Sequence, residues 1–127
     1  MKSPEQLLLK GGERALVAGS FDPVSLGHMA LIDYAAKTFS EVHAVIFINA
    51  EKTCFFDLKE RLALLEAACQ KYENVKTGSF SGMLYAYAKE EKIDFTVRGY
   101  RNETDLSYEK NMADFNEKAL PGLETLL

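Results

Sequence analysis

Apolar and polar positions change their period repeatedly along this chain. Ala15–Ala18 is a short apolar run, and Leu26–Phe39 then carries Leu31, Ile32, Ala35, Ala36 and Phe39 at helical spacing. Val42–Asn49 (VHAVIFIN) is β-branched and nearly all apolar, the pattern of a buried strand. Asp57 and Glu60 form an Asp-x-x-Glu start signal, so Asp57 is placed to satisfy an orphan N–H of a helix whose one face is Leu58, Leu62, Leu65 and Cys69. Val75–Phe80 reads as a strand, Ser81 as the cap of a short helix over Gly82–Glu91, and Asp94–Arg98 (DFTVR) as a strand. Thr104 is placed to cap a last helix with Tyr108, Met112, Phe115 and Ala119 on its buried stripe and Pro121-Gly122 at its end. Leu123–Leu127 reads as the first residues of a further strand.

The order βαβαβαβα(β) implies parallel strands joined by right-handed crossovers, a doubly wound α/β sheet. Such sheets bind ligands beyond the carboxyl ends of their strands, where strand order reverses. That places any site on residues 19–28, 49–56 and 98–104. Lys10-Gly11-Gly12 is a break that sets 1–13 apart as an extension from a single domain over 14–127.

Composition narrows the class. A chain of 127 residues buries roughly 65% of its unfolded surface, enough for one core. With 47% hydrophobic and 27% charged residues it is not a disordered chain. The longest apolar run, Ala44–Ile48, is far short of the ~20 residues of a membrane helix. Leu7, Leu8 and Leu9 do not make the apolar stretch of a secretory signal. The two cysteines, Cys54 and Cys69, cannot form a disulfide framework and suggest a reducing, cytoplasmic compartment. A net charge of −4 argues against general nucleic-acid binding. It leaves room for a polyanionic small ligand held by a few placed cations.

Candidate chemistry concentrates in the three loops. In Gly19-Ser20-Phe21-Asp22-Pro23-Val24-Ser25-Leu26-Gly27-His28 the glycines allow close approach of backbone to a phosphate, and the following helix offers N–H groups and a positive dipole end. His28 stands in its first turn, either as an anion ligand or as a helix cap or surface residue. The loop is neither a Walker loop nor a dinucleotide fingerprint. Lys52 follows the most apolar strand and is either a phosphoryl ligand or a solvated lysine. Arg98 and Arg101 flank Gly99 as a guanidinium fork for phosphates, or as surface arginines bridged to Glu103 or Asp105. No His, Cys and carboxylate cluster marks a protein-only metal site, and no Gly-x-Ser-x-Gly elbow marks a nucleophile.

The string GSFDPVSLGH, Lys52, Phe80-Ser81-Gly82-Met83-Leu84, and VRGYR followed by Asp105, Tyr108 and Glu109 closely resemble the phosphopantetheine adenylyltransferases, nucleotidyltransferases with a His/Thr-x-Gly-His motif. The resemblance runs from about Ala15 to Leu127 and implies a Rossmann-like nucleotidyltransferase fold. It implies transfer of AMP from ATP to 4′-phosphopantetheine, with Mg²⁺ carried on the ATP phosphates, giving dephospho-CoA and pyrophosphate in coenzyme A synthesis. Gly19, Ser20, Phe21, Gly27 and His28 would meet ATP, with His28 at the pentavalent phosphorus. Arg101 would meet the ATP phosphates, and Gly99, Asp105 and Glu109 the adenosine. Lys52 and Arg98 would hold the phosphate of phosphopantetheine beside Ser20, and Met83, Leu84 and Asn116 its pantetheine arm. His28, Lys52 and Arg101 would be the catalytic set. The family is hexameric, so a homo-oligomer is expected, with no nucleic-acid or membrane partner.

The chain departs from the family at its end. Relatives carry a further Ile-Ser-Ser phosphate-binding motif and a final helix, whereas this sequence stops at Leu127, before the last strand is complete. The expectation is a short form with weak binding and slow turnover, and an apolar edge open to self-association. Two alternatives stand beside it: a non-catalytic nucleotide- or CoA-binding module, and another small-molecule nucleotidyltransferase.

Overall fold

The computed structural model describes residues 12–49, 53–99 and 103–126. These form β1 (Arg14–Gly19), α1 (Leu26–Thr38), β2 (Glu41–Phe47), α2 (Leu58–Cys69), β3 (Val75–Phe80), α3 (Leu84–Glu90), β4 (Phe95–Val97), α4 (Glu103–Ala119) and β5 (Glu124–Leu126). The strands make one five-stranded sheet in the order β3-β2-β1-β4-β5, and every pairing is parallel. The doubly wound α/β expectation is therefore met. Strand order reverses at β1, which pairs with β2 on one side and β4 on the other.

Burial on both faces explains the near-continuous apolar strands. Successive side chains of β1 and β2 point to opposite faces. Ala15, Val17, Val42, Ala44 and Ile46 join Ile32 and Ala35 of α1 and Leu65 and Cys69 of α2. Leu16 and Val45 join Ala88, Ile93 and Leu123 on the other face. The Asp57 cap is present, its Oδ1 accepting from Glu60 N–H at 2.8 Å.

One polar residue interrupts β2. His43 is buried, with Nε2 at 2.6 Å from Glu41 Oε2 and Nδ1 at 2.7 Å from the Tyr87 hydroxyl. The hydrogen bond from His43 holds the Glu41 carboxyl below its ordinary range, against the opposing effect of burial. Burial pushes the Tyr87 hydroxyl up to about 12, so it stays a donor.

Three local expectations shift. The short helix begins at Leu84 behind Met83, with no side-chain cap, rather than behind Ser81. Gly82 has φ +146, and a Cβ there would lie 2.9 Å from the Phe80 ring, so this turn is reserved for glycine. The last helix includes Thr104 instead of starting after it. Its buried residues are Glu109, Ala113 and Asn116, whereas Tyr108 and Phe115 are 60% and 48% exposed. The helix is thus rotated by one position from its apolar stripe, because its inward face meets an arginine and a cavity rather than solid core.

Leu65→Ala is expected to cost about 2–5 kcal/mol, since a fully buried leucine leaves a void between α2 and the sheet. Leu64→Ala, one residue away on the exposed side, is expected to stay within about 0.5 kcal/mol. Urea unfolding of the two variants checks the facing of α2; similar losses would show that it is wrong.

Candidate active site

The reversal of strand order opens a crevice beyond the carboxyl ends of β1 and β4. A cavity of about 590 Å³ lies there, lined by Gly19, Ser25, Gly27, His28, Arg98 and Gly99 among others. Its floor includes the start of α1. Ser25 is the N-cap, and its Oγ accepts from the His28 N–H at 3.3 Å. His28 Nδ1 in turn accepts from the Ser25 N–H at 3.0 Å, closing a reciprocal capping box. Nδ1 is therefore the unprotonated nitrogen, and Nε2 carries the hydrogen. Burial, helped by the Arg98 charge, lowers the His28 pKa below its ordinary 6.5. At neutral pH this imidazole is an uncharged Nε2–H donor beside the dipole end of α1. The two sequence readings of His28, cap and anion ligand, are compatible: one ring nitrogen caps and the other remains to donate.

Arg98 leaves the end of β4 and crosses toward α4. Its Nε and Nη2 meet the Glu109 carboxylate at 3.0 Å each, and its Nη1 donates to Ala18 O at 2.7 Å. The pair is bidentate and largely shielded, the arrangement in which a guanidinium and a carboxylate hold each other most firmly. Arg98 is thus bridged to an acid, Glu109, and the side chains of Glu103 and Asp105 lie outside the described residues. A second cavity of about 80 Å³ lies on the far side of this pair, lined by Leu84, Arg98, Glu109, Met112 and Asn116. Arg98 lines both cavities.

A third cavity of about 290 Å³ lies at the ends of β1 and β2 and is lined by Ser20, Asn49, Cys54 and Arg61 among others. Arg61 was invisible as a site residue in the sequence, where it falls on the buried face of α2 between leucines. Only its spacing with Leu58 and Leu65 could have shown that a cation was being turned inward.

The structure brings Gly19, Gly27, His28, Arg98 and Gly99 together at the larger cavity, and Leu84, Asn116 and Glu109 together at the smaller one. Glu109 lines the smaller cavity with the residues expected for the pantetheine arm, whereas Gly99 lines the larger one. Met83 is 47% exposed and is not among the residues lining the smaller cavity. Phe21 is buried beneath its loop, its ring 4.7 Å from that of His28 by centroids. Lys52, Arg101 and the side chain of Asp105 lie outside the described residues.

A family model described as cytidylyltransferase-like matches residues 16–119. A phosphopantetheine adenylyltransferase of Shouchella clausii (strain KSM-K16) is 41% identical over 114 residues, which are 90% of this chain and 72% of that protein. Among solved structures, the lipopolysaccharide core biosynthesis protein from Thermoplasma volcanium GSS1 matches with a TM-score of 0.66 at 22% identity, over 90% of this chain and 93% of that one. That last likeness speaks to the fold alone. The family model spans the crevice and both of its walls, and the curated relative shares two residues in five over nine tenths of the chain, so this chain belongs to the cytidylyltransferase-like nucleotidyltransferases, in the phosphopantetheine adenylyltransferase family.

Proposed function

We propose that this chain transfers AMP from ATP to 4′-phosphopantetheine, releasing pyrophosphate and forming dephospho-CoA. The observation that carries this reading is Arg98 standing between two cavities, one floored by the start of α1 and His28, the other lined by Leu84, Met112 and Asn116. The larger volume is within the range of a small-ligand site, ~300–1,000 Å³, and its backbone N–H groups suit a nucleotide phosphate. The smaller one, part apolar and part amide, suits the start of the pantetheine arm, whose remainder would run out over the surface.

The chemistry asks little of side-chain bases. A phosphate oxygen of phosphopantetheine, already ionised, attacks the α-phosphorus. The bond from that phosphorus to the β-phosphate oxygen breaks, and pyrophosphate leaves with the electron pair. Catalysis then consists of positioning and of neutralising charge as it moves. The Nε2–H of His28 would donate to an α-phosphate oxygen as charge builds there. Arg98 has five N–H groups. Three are used on Glu109 and Ala18; the other two have no acceptor among the described residues and would donate to the acceptor phosphate. Lys52 and Arg101 would complete the cationic set.

Mg²⁺ would enter on the triphosphate and supply charge neutralisation there. Around the crevice Asp22, Asp57 and Glu109 are already engaged by Phe55 and Phe56, by Glu60 N–H and by Arg98. Among the described residues no three of His, Cys, Asp or Glu converge. With those carboxylates engaged, the crevice suits a metal that arrives with its nucleotide.

Pyrophosphate release from ATP, Mg²⁺ and 4′-phosphopantetheine is the direct test, with the reaction lacking phosphopantetheine as the blank. Release above the blank together with dephospho-CoA is expected. Tight dephospho-CoA binding without release would leave a binding module, and release with a different acceptor would name another transferase. His28→Ala is expected to lower kcat about 10²–10³-fold with little change in KM for ATP, because its interaction strengthens at the transition state. Equal losses in both would remove it from that role. Arg98→Ala is expected to raise KM for phosphopantetheine more than KM for ATP; the reverse would exchange the two subsites.

A further inference from the structure

Two residues that the reaction does not use hold the crevice loops together. Asp22 Oδ2 accepts from the Phe55 N–H at 2.7 Å, and its Oδ1 from the Phe56 N–H at 2.9 Å. From α2, Arg61 Nε donates to Phe56 O at 3.1 Å, and Nη1 donates to Ser20 O at 3.0 Å. Phe56 is therefore gripped at both its N–H and its carbonyl. The contacts close a ring that runs from Ser20 through the chain to Asp22, across to Phe56, and back through Arg61 to Ser20.

Arg61 is 7% exposed, and among the described residues its side-chain hydrogen bonds go to carbonyl oxygens, the Asp22 carboxylate acting on it only through space. Burying a cation in this way is costly, and an apolar side chain of similar volume is often as stable in such a place. Stability is a weak reason for the residue, and geometry is a better one. The two ends of the ring, Ser20 and Asp22, are the immediate neighbours of Phe21. Phe21 has φ +47, in the left-handed region that aromatic residues rarely adopt. Its ring is 1% exposed and packs 4.7 Å from the His28 ring.

We infer that Asp22 and Arg61 are positioning residues, which hold Phe21 in this backbone conformation so that its ring fixes the imidazole of His28. The imidazole is then held from two sides, by Ser25 at Nδ1 and by Phe21 against its ring, which leaves Nε2–H one direction. Asp22 is well suited to the task. Burial raises its carboxyl, but the N–H groups of Phe56 and Phe55, the Arg61 charge and the Cys54 thiol outweigh that, and it remains ionised below its ordinary 3.8. This inference rests on the catalytic role proposed for His28, but its main readout does not need turnover.

The test follows both histidines of the chain by ¹⁵N NMR in the wild type, Asp22→Asn and Arg61→Lys. His43 lies between Glu41 and Tyr87 and serves as the internal control. Among the described residues the groups that face His28 are the Arg98 charge, the Ser25 N–H and hydroxyl, and the Phe21 ring. Loss of the Asp22 charge acting through space would lower the His28 titration, and Arg61→Lys leaves the charge unchanged. An upward move toward 6.5 in both variants therefore reports a displaced ring. The expected result is that upward move with His43 unchanged, together with a kcat loss of about 10- to 100-fold at nearly constant KM for ATP. The inference is overturned if His28 stays put in both variants, or if His43 moves as far as His28, which would show general loosening. Should Arg61→Lys fail to fold, Asp22→Asn, altered at an accessible loop carboxylate, decides alone. Absence of pyrophosphate release from the wild type would overturn the proposed reaction while the titrations still decide the positioning role.

Discussion

The site exists because β1 has β2 on one side and β4 on the other. A chain that had continued to add strands in one direction would leave its βα loops in a row, each packed against the next. Here the crossovers depart in opposite directions from β1, and the loops after β1 and β4 part to leave a crevice. Gly19 and Arg98 flank that gap, and α1 starts within it. The groups able to bind an anion are therefore assembled by topology, and local sequence only supplies them with the right chemistry.

Within the crevice the Arg98–Glu109 pair organises the second wall. A largely buried guanidinium needs a partner, and Glu109 is the carboxylate that α4 turns toward it. That demand sets the rotation of α4, and Asn116 is carried inward with it. It also separates two cavities while leaving the same cation exposed to each. A residue shared in this way suits a reaction in which two phosphates must approach one another against their own repulsion.

The loops that form the site are tied to one another by paired polar contacts. Ser25 and His28 cap one another, Asp22 takes the N–H groups of a neighbouring loop, and Arg61 takes two carbonyls. Preorganisation of this kind leaves few donors to be reoriented when a charged ligand arrives, which is the condition under which electrostatic stabilisation is effective.

Much of this was legible in the sequence. The change of hydrophobic period marks strand from helix because a strand repeats every second residue and a helix every 3.6, so α1, β2, α2 and β3 could be placed from pattern alone. The Asp57 cap was readable because its signal and its effect are three residues apart. The GSFDPVSLGH and VRGYR strings also identified the family, since their chemistry is written in consecutive residues. What failed was the facing of α4. Tyr108, Met112 and Phe115 make the better apolar stripe, but hydrophobic periodicity assumes that the inward face meets core, and here it meets Arg98 and a cavity. The inward turn of Arg61, the pairing of Arg98 with Glu109, and the backing of His28 by Phe21 join elements distant in sequence or conformations no motif encodes. Local pattern determined which elements form and which chemistry they carry; only tertiary structure decided which of those groups meet, because long-range charge pairing and strand order have no period along the chain.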